Sequence, residues 1–196
     1  MSPFHYAWRY IQLPLPPTIN KQAVLNAVLP THDIDALSNT RTGQLYNNTY
    51  TILPPTVASV LHLLEKYNIP VQEKIVALVG TGALVGRPTA LALLHKKATV
   101  VLINSSTQNP AHLIQQADIV VAGTGKPHTI TPDMIKQDAV LIDAGYAMQN
   151  KKILGDFHPD AHKKSLFYTP VPNGVGALTV AMLYSNLFEL IKQNAT

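Results

Sequence analysis

The sequence predicts an α/β protein built on a mostly parallel sheet with helices on both faces, and three observations carry that prediction. Short apolar runs rich in β-branched residues recur through the middle of the chain: Ile75–Val79, Thr99–Ile103, Ile119–Ala122 and Ala139–Asp143. Segments of helical periodicity separate them. The first run ends directly in a glycine loop, Gly80-Thr-Gly82-Ala-Leu-Val-Gly86, ahead of a helical pattern. Strands that alternate with helices are joined by crossovers, and crossovers make neighbouring strands parallel.

Each element has its own signal. Residues 1–53 hold a proline cluster (Pro14, Pro16, Pro17) and one short helical pattern from Thr18 or Asn20, with Val24, Leu25 and Val28 on one face. Residues 37–50, with Ser38-Asn-Thr, Thr42-Gly and Asn47-Asn, read as loop. The character of the chain changes at Pro54-Pro55, which sets a boundary between 1–53 and a unit over 54–176. In that unit Val57, Val60, Leu61 and Leu64 mark a helix over 56–67, and the continuous apolar run 75–79 suits a strand buried on both faces. Pro88 falls in the first turn of a helix over 87–96, where its missing N–H costs nothing. A short helix over 110–116 and a long final helix over 177–191 complete the pattern, with Ala181, Tyr184, Leu187, Phe188 and Ile191 near one face; Met182 and Tyr184 read as packing residues.

Composition narrows the classes of function. Of the 196 residues 46% are hydrophobic and 13% charged, which excludes intrinsic disorder. The absence of cysteine excludes a disulfide scaffold, thiol catalysis and thiolate metal sites, and fits a reducing compartment. The net charge of +4 is mild, and the basic residues are scattered, so no nucleic-acid partner is expected. The stretch from Met1 to Arg9 lacks a basic end followed by an apolar run and does not read as a signal peptide. No uninterrupted apolar run reaches the roughly 18–20 residues of a membrane span. A cytoplasmic protein without a membrane partner is expected.

The glycine loop is the strongest chemical signal. Gly80 permits the tight turn, Gly82 lets backbone approach a pyrophosphate, and Gly86 lets the next helix pack on the strand. That helix's N-terminus then offers free N–H groups and a positive dipole end. The spacing G-x-G-x-x-x-G is one residue longer than the commonest dinucleotide fingerprint. The second strand ends in Asn104-Ser105-Ser106-Thr107, without the carboxylate that commonly holds a ribose 2′-hydroxyl, and this leans toward NADP over NAD. Ala122-Gly-Thr-Gly-Lys-Pro127 and Asp143-Ala-Gly-Tyr146 follow the third and fourth strands, where ligands of open α/β sheets bind. Thr169-Pro-Val-Pro-Asn-Gly-Val-Gly176 is either a rigid loop presenting backbone groups to a ligand or a bend that redirects the chain. His158 and His162, near Asp156 and Asp160, lack a zinc-binding H-E-x-x-H pattern, and no metal is expected. Neither a G-x-S-x-G elbow nor a phosphate-binding Walker A loop is present.

Read in order, Gln12-Leu-Pro-Leu-Pro16, Pro30-Thr-His-Asp-Ile-Asp35, the loop from Gly80 to Pro88 and Thr169-Pro-Val-Pro-Asn-Gly-Val-Gly176 point to a family. The chain resembles the bifunctional methylenetetrahydrofolate dehydrogenase/methenyltetrahydrofolate cyclohydrolase family from about Tyr10 onward. The resemblance implies a Rossmann-type NADP domain over 54–176, a remnant of an α/β substrate domain over 1–53, and a helix over 177–196 that returns to the substrate domain. It implies oxidation of 5,10-methylenetetrahydrofolate to the methenyl compound with NADP and hydrolysis to 10-formyltetrahydrofolate, a reaction of one-carbon metabolism that supplies purine biosynthesis. Tetrahydrofolate derivatives as substrates and a homodimer through the nucleotide domain are implied as well.

Carried over by motif, Asp35 anchors the pterin, whose 2-amino and ring N–H groups a carboxylate can accept in parallel. Gln12 orients the catalytic lysine; Gly80, Thr81, Gly82, Gly86, Ser105 and Tyr146 contact the cofactor, with NAD the alternative to NADP; Pro172 and Gly174 lie over the folate. The chain departs from the family in four places. No Tyr, Tyr6 included, is followed by Lys four positions on, so the family's Tyr-x-x-x-Lys pair is missing together with most of the substrate domain. Ala36 and Asn173 stand where the family has glycine, and Pro55 stands where Cys-Thr-Pro is usual. A positioned acid or base is worth about 10²–10⁴ in rate, so the chain alone is expected to show little activity. The alternative is a non-catalytic dinucleotide-binding or subunit-interaction protein derived from this family.

Overall fold

A computed structural model describes residues 10–195; Tyr6 and the rest of the stretch from Met1 to Arg9 lie outside the described residues. Helices α1 (Lys21–Asn26), α2 (Asn39–Tyr46) and α3 (Pro55–Lys66) precede the sheet. Strands β1 (Ile75–Val79), β2 (Thr99–Ile103), β3 (Ile119–Ala122) and β4 (Ala139–Asp143) follow, with α4 (Gly86–His95) and α5 (Pro110–Gln115) as the first two crossovers. The hairpin β5 (Ala147–Gln149) and β6 (Lys152–Leu154), the strand β7 (Ser165–Tyr168) and the helix α6 (Val175–Ala195) complete the chain.

The main sheet has the order β2-β1-β3-β4-β7, and every pairing in it is parallel. From β1 the chain steps to β2 on one side and then returns to place β3 on the other, so the winding reverses at β1. Such a reversal leaves a crevice at the carboxyl end of the strands. Register keeps that end level: Val79 pairs with both Ile103 and Ala122, and Ala122 pairs with Asp143. The loops after β1, β2, β3 and β4 therefore emerge side by side.

Both faces of the central strands β1, β3 and β4 are buried, which is why they are continuous apolar runs rather than alternating ones, whereas the edge strands β2 and β7 are partly exposed. On one face Val76, Leu78, Ile119, Val121, Val140 and Ile142 pack with Val57, Val60 and Leu64 of α3 and Leu93 of α4. On the other, Ala77, Ile103, Val120 and Leu141 pack with Ile114, Ile130, Ile135 and Ala161.

Three expectations are corrected. Residues 37–50 are not all loop: Ser38 caps α2 by accepting the Arg41 N–H, and Arg41 and Leu45 are buried. A buried arginine whose terminal nitrogens donate to the Pro30 carbonyl, Gln44 Oε1 and Thr51 Oγ1 makes this polar segment helical, and propensity alone does not register such contacts. The strand β7 and the β5–β6 hairpin were not among the expected strands; β7 is four residues long on the sheet's edge, too short to set a period. The buried face of α6 is also different from the one expected: Val175, Asn186 and Leu190 are buried, whereas Val180, Tyr184, Phe188 and Ile191 form an exposed stripe at 57%, 59%, 62% and 37%. Tyr184 is thus a surface residue.

A polar side chain sets that face. Asn186 Nδ2 donates to the carbonyls of Ile34 and Leu53, each at 2.8 Å, and Leu190 packs with Ile34, Ala36 and Ile52. By length and composition α6 is apolar enough to cross a membrane, and these contacts show it instead clasping the segments on both sides of α2. Asn186→Ala strands two carbonyls and is expected to lower unfolding free energy by about 2 kcal/mol, read as a lower denaturant midpoint at unchanged slope.

Candidate functional site

The glycine turn after β1 is assembled by backbone meeting backbone. Gly80 has φ +105°, and a Cβ there would stand 2.6 Å from the Gly123 carbonyl oxygen. A Cβ on Gly86 would overlap the Gly80 carbonyl, and one on Gly123 would stand 2.7 Å from Val85 Cγ1. The Gly80 N–H donates to Ile103 O at 2.8 Å, and the Gly123 N–H to Val79 O at 2.9 Å. Gly82 differs from these glycines: nothing lies within 4 Å of a Cβ placed there. No neighbour within the protein requires glycine at 82. Thr81 separates the two glycines, and α4 begins at Gly86 without a side-chain cap; the Arg87 N–H donates to Gly82 O at 3.1 Å, Pro88 has no N–H, and the Thr89 N–H donates to Val85 O at 3.0 Å.

At the end of β2 the segment 104–107 folds on itself: the Asn104 N–H donates to Thr107 Oγ1 and the Ser106 N–H to Asn104 Oδ1. Ser105 is exposed there, one strand away from Gly80. Beyond β4 and β7 lies a cavity of about 470 Å³ that brings together Tyr146, Pro172 and Gly174 with Thr56, Asp143 and Thr179. Tyr146 is 60% exposed at its mouth. Asn173 adopts φ +73°, a conformation asparagine tolerates better than most residues, which accounts for its place where the family has glycine. Ala36, by contrast, holds φ +54° while its methyl is buried against Ile34, Ile52 and Leu190.

Under the loops after β3 and β4 lie two buried carboxyl groups that sequence reading had set aside. Asp143 Oδ1 accepts the Gly145 and Asp156 N–H groups and Oδ2 that of Phe157, while Asp156 Oδ2 accepts the Thr124 N–H. Burial pushes Asp143 up to about 6, aided by the charge of Asp156 and opposed by the three N–H donors. The available signal was the flanking pattern: Gly145 stands two residues after Asp143, and Gly155 directly precedes Asp156. A Cβ on either glycine would overlap the opposite carboxyl group.

Gln12 and Asp35 form a second group, outside the lining of the 470 Å³ cavity. Gln12 Oε1 accepts the Tyr10 hydroxyl at 2.8 Å, and Gln12 Nε2 donates to Leu13 O. Asp35 lies close enough to raise the Tyr10 phenol, after burial. Asp35 is itself pushed up to about 6, first by burial and then by Asp33. His158 and His162 hold local backbone contacts with Asp160 N and Pro159 O, and among the described residues no group of three His, Asp or Glu is placed to hold a metal ion.

Residues 54–195 match the tetrahydrofolate dehydrogenase/cyclohydrolase NAD(P)-binding domain. The chain belongs to that family. It is 43% identical over 186 residues to the bifunctional protein FolD of Fusobacterium nucleatum, covering 94% of this chain and 66% of that protein. Among solved structures it is similar to the Trypanosoma brucei methylenetetrahydrofolate dehydrogenase-cyclohydrolase (FolD) complexed with NADP cofactor and inhibitor, at 35% identity and TM-score 0.89, covering 94% of this chain and 66% of that one. It is also similar to the Campylobacter jejuni FolD structure, at 33% identity and TM-score 0.91, covering 93% and 66%. The chain spans about two thirds of the length of these family members.

Asp143, with its folded value near 6 against an ordinary value near 4, is protonated in the folded state over a range where the unfolded chain is ionised. Its contribution to stability is full below about pH 4 and is lost as pH rises through 6. Asp143→Asn is therefore expected to gain on the wild type by up to about 3 kcal/mol between pH 4 and 7, as measured by denaturant unfolding across that range.

Proposed function

We propose that the chain binds NADP along the carboxyl edge of its sheet. We further propose that it serves in the oxidation of 5,10-methylenetetrahydrofolate to the methenyl compound and the hydrolysis of that compound to 10-formyltetrahydrofolate. The observation that carries the reading is Gly82. Its neighbours Gly80 and Gly86 are glycines because the protein's own backbone fills the space, whereas nothing lies within 4 Å of a Cβ on Gly82, which sits between the end of β1 and the start of α4. An open cradle beside a helix N-terminus fits a pyrophosphate. The end of β2, with Ser105 and no carboxylate, accommodates a 2′-phosphate without repulsion and leaves NADP preferred, with NAD the alternative.

In this reading NADP, when bound, accepts the hydride from the substrate's methylene carbon. The chain's own residues do the rest: Gly80, Thr81, Gly82 and Gly86 present backbone to the phosphates, and Tyr146 flanks the cofactor. Pro172 and Gly174 shape the cavity over the folate. Asp35 accepts the pterin's paired N–H groups once ionised, and its raised value makes this anchor complete only above about pH 6. In this reading Gln12, which accepts the Tyr10 hydroxyl, orients the lysine that the family supplies from its substrate domain.

The exposed stripe Val180, Tyr184, Phe188 and Ile191 belongs to this reading too, as the seat of that substrate domain. A homodimer joined through the nucleotide domain, a cytoplasmic location and a role in supplying purine biosynthesis complete it.

Calorimetric titration of the 196-residue chain tests the cofactor half. NADP is expected to bind, and Gly82→Val is expected to weaken binding at least about tenfold while leaving the unfolding midpoint unchanged. Equal binding by the variant would remove the pyrophosphate from this turn. Turnover followed by absorbance of the reduced cofactor is expected to be about 10²–10⁴ slower for this chain than for a family member carrying the tyrosine–lysine pair.

A further inference from the structure

We propose that Asp156 is a positioning residue for the nicotinamide half of the dinucleotide, clamping the loops after β3 and β4 into one ledge against the Gly80 turn. This rests on the NADP reading above. Asp156 is fully buried, at 0% exposure, and lines neither the 470 Å³ cavity nor the glycine turn, so it acts on a ligand only through the loops it holds.

Three contacts make the clamp. Asp156 Oδ2 accepts the Thr124 N–H, which fixes the loop after β3. The Asp156 N–H donates to Asp143 Oδ1 at 3.1 Å, and the same oxygen accepts the Gly145 N–H at 2.9 Å, which fixes the loop after β4. Gly123, one residue before the clamped Thr124, carries the carbonyl against which Gly80 packs. The clamp thus reaches from Asp156 through Thr124 and Gly123 to the turn proposed to carry the pyrophosphate. The space admits no substitute for the flanking glycine, since a Cβ on Gly145 would overlap the Asp156 carboxyl group.

The hydrogen bonds also predict what can replace it. Among the described residues Asp156 Oδ1 meets no donor, so the clamp uses one acceptor oxygen. Asparagine keeps one acceptor oxygen; alanine keeps none. The ligand's two halves separate positioning from general loss of structure. The end of β2 serves the ribose with its 2′-phosphate, and the ledge lies on the opposite side of β1, over β3 and β4. Adenosine 2′,5′-bisphosphate probes the first region without reaching the second.

The experiment measures dissociation constants of NADP and of adenosine 2′,5′-bisphosphate for the 196-residue wild type, Asp156→Ala and Asp156→Asn, below each protein's unfolding midpoint. Asp156→Ala is expected to bind NADP about tenfold more weakly and the bisphosphate within about twofold of wild type, with Asp156→Asn restoring most of the NADP affinity. Equal NADP affinity in the alanine variant, equal losses for both ligands, or an asparagine variant as weak as alanine would each overturn the proposal. A wild type that binds the bisphosphate and NADP equally well also overturns it, because no ledge then contributes. A wild type that binds neither overturns the NADP reading itself. Amide hydrogen exchange on the wild type covers the case in which alanine does not fold. Thr124 N–H is expected to be protected like a strand amide, and exchange at the rate of a free loop would dismiss the clamp.

Discussion

Close approach of backbone to backbone at the end of β1 is the constraint on which the rest of the site depends. Gly80 lies against the Gly123 carbonyl and Gly86 against the Gly80 carbonyl, so the first crossover helix and the loop after β3 are both seated on one turn. Any side chain at these positions would push α4, and with it the helix N-terminus, away from the sheet. The parallel register does the complementary work, bringing four loops to the same level so that a single extended ligand can lie across them.

Beneath this edge the protein keeps charge where an apolar core would be cheaper. Asp143 and Asp156 are buried side by side, and what they supply is a set of acceptors for N–H groups that the sheet cannot reach. Burying carboxyl groups is costly unless their hydrogen bonds are met, and Asp143 meets its cost with three backbone donors and a raised affinity for a proton. The same economy appears at Arg41, which joins the Pro30 carbonyl to the Thr51 hydroxyl, and at Asn186, which joins the carbonyls of Ile34 and Leu53, in the region before α3. Polar side chains hold the irregular parts of this fold, and apolar ones hold the sheet.

That division explains how much was legible in advance. The strands β1, β3 and β4 are buried on both faces, so hydrophobicity alone marks them, and the turn is marked because no side chain fits at Gly80 and Gly86. Helix α2 was hidden because its stability comes from the Ser38 cap and from Arg41 reaching Pro30 and Thr51 outside the helix. The face of α6 was misjudged for a related reason. A large aromatic stripe outweighs a lone asparagine in any periodicity argument, yet Asn186 is the residue with two carbonyls to satisfy. Of the candidate site residues, Tyr146, Pro172 and Gly174 converge on one cavity, and Gln12 with Asp35 forms a separate cluster with Tyr10. Asp143 was read only as the start of a loop at the ligand crevice and Asp156 only as a neighbour of histidines.

From its residues alone the chain determines that a strand must turn on glycine and feed a helix, that the sheet is parallel with central strands buried on both faces, and which family it resembles. These follow from local sterics and from burial, both written in runs of neighbouring residues. Only the tertiary structure decided which glycine is open and which is filled, which face of the last helix is inside, and that Asp143 accepts the N–H of Asp156, thirteen residues away. Those depend on which distant backbone groups meet, and a linear pattern holds no record of unpaired donors and acceptors until the chain has closed on itself.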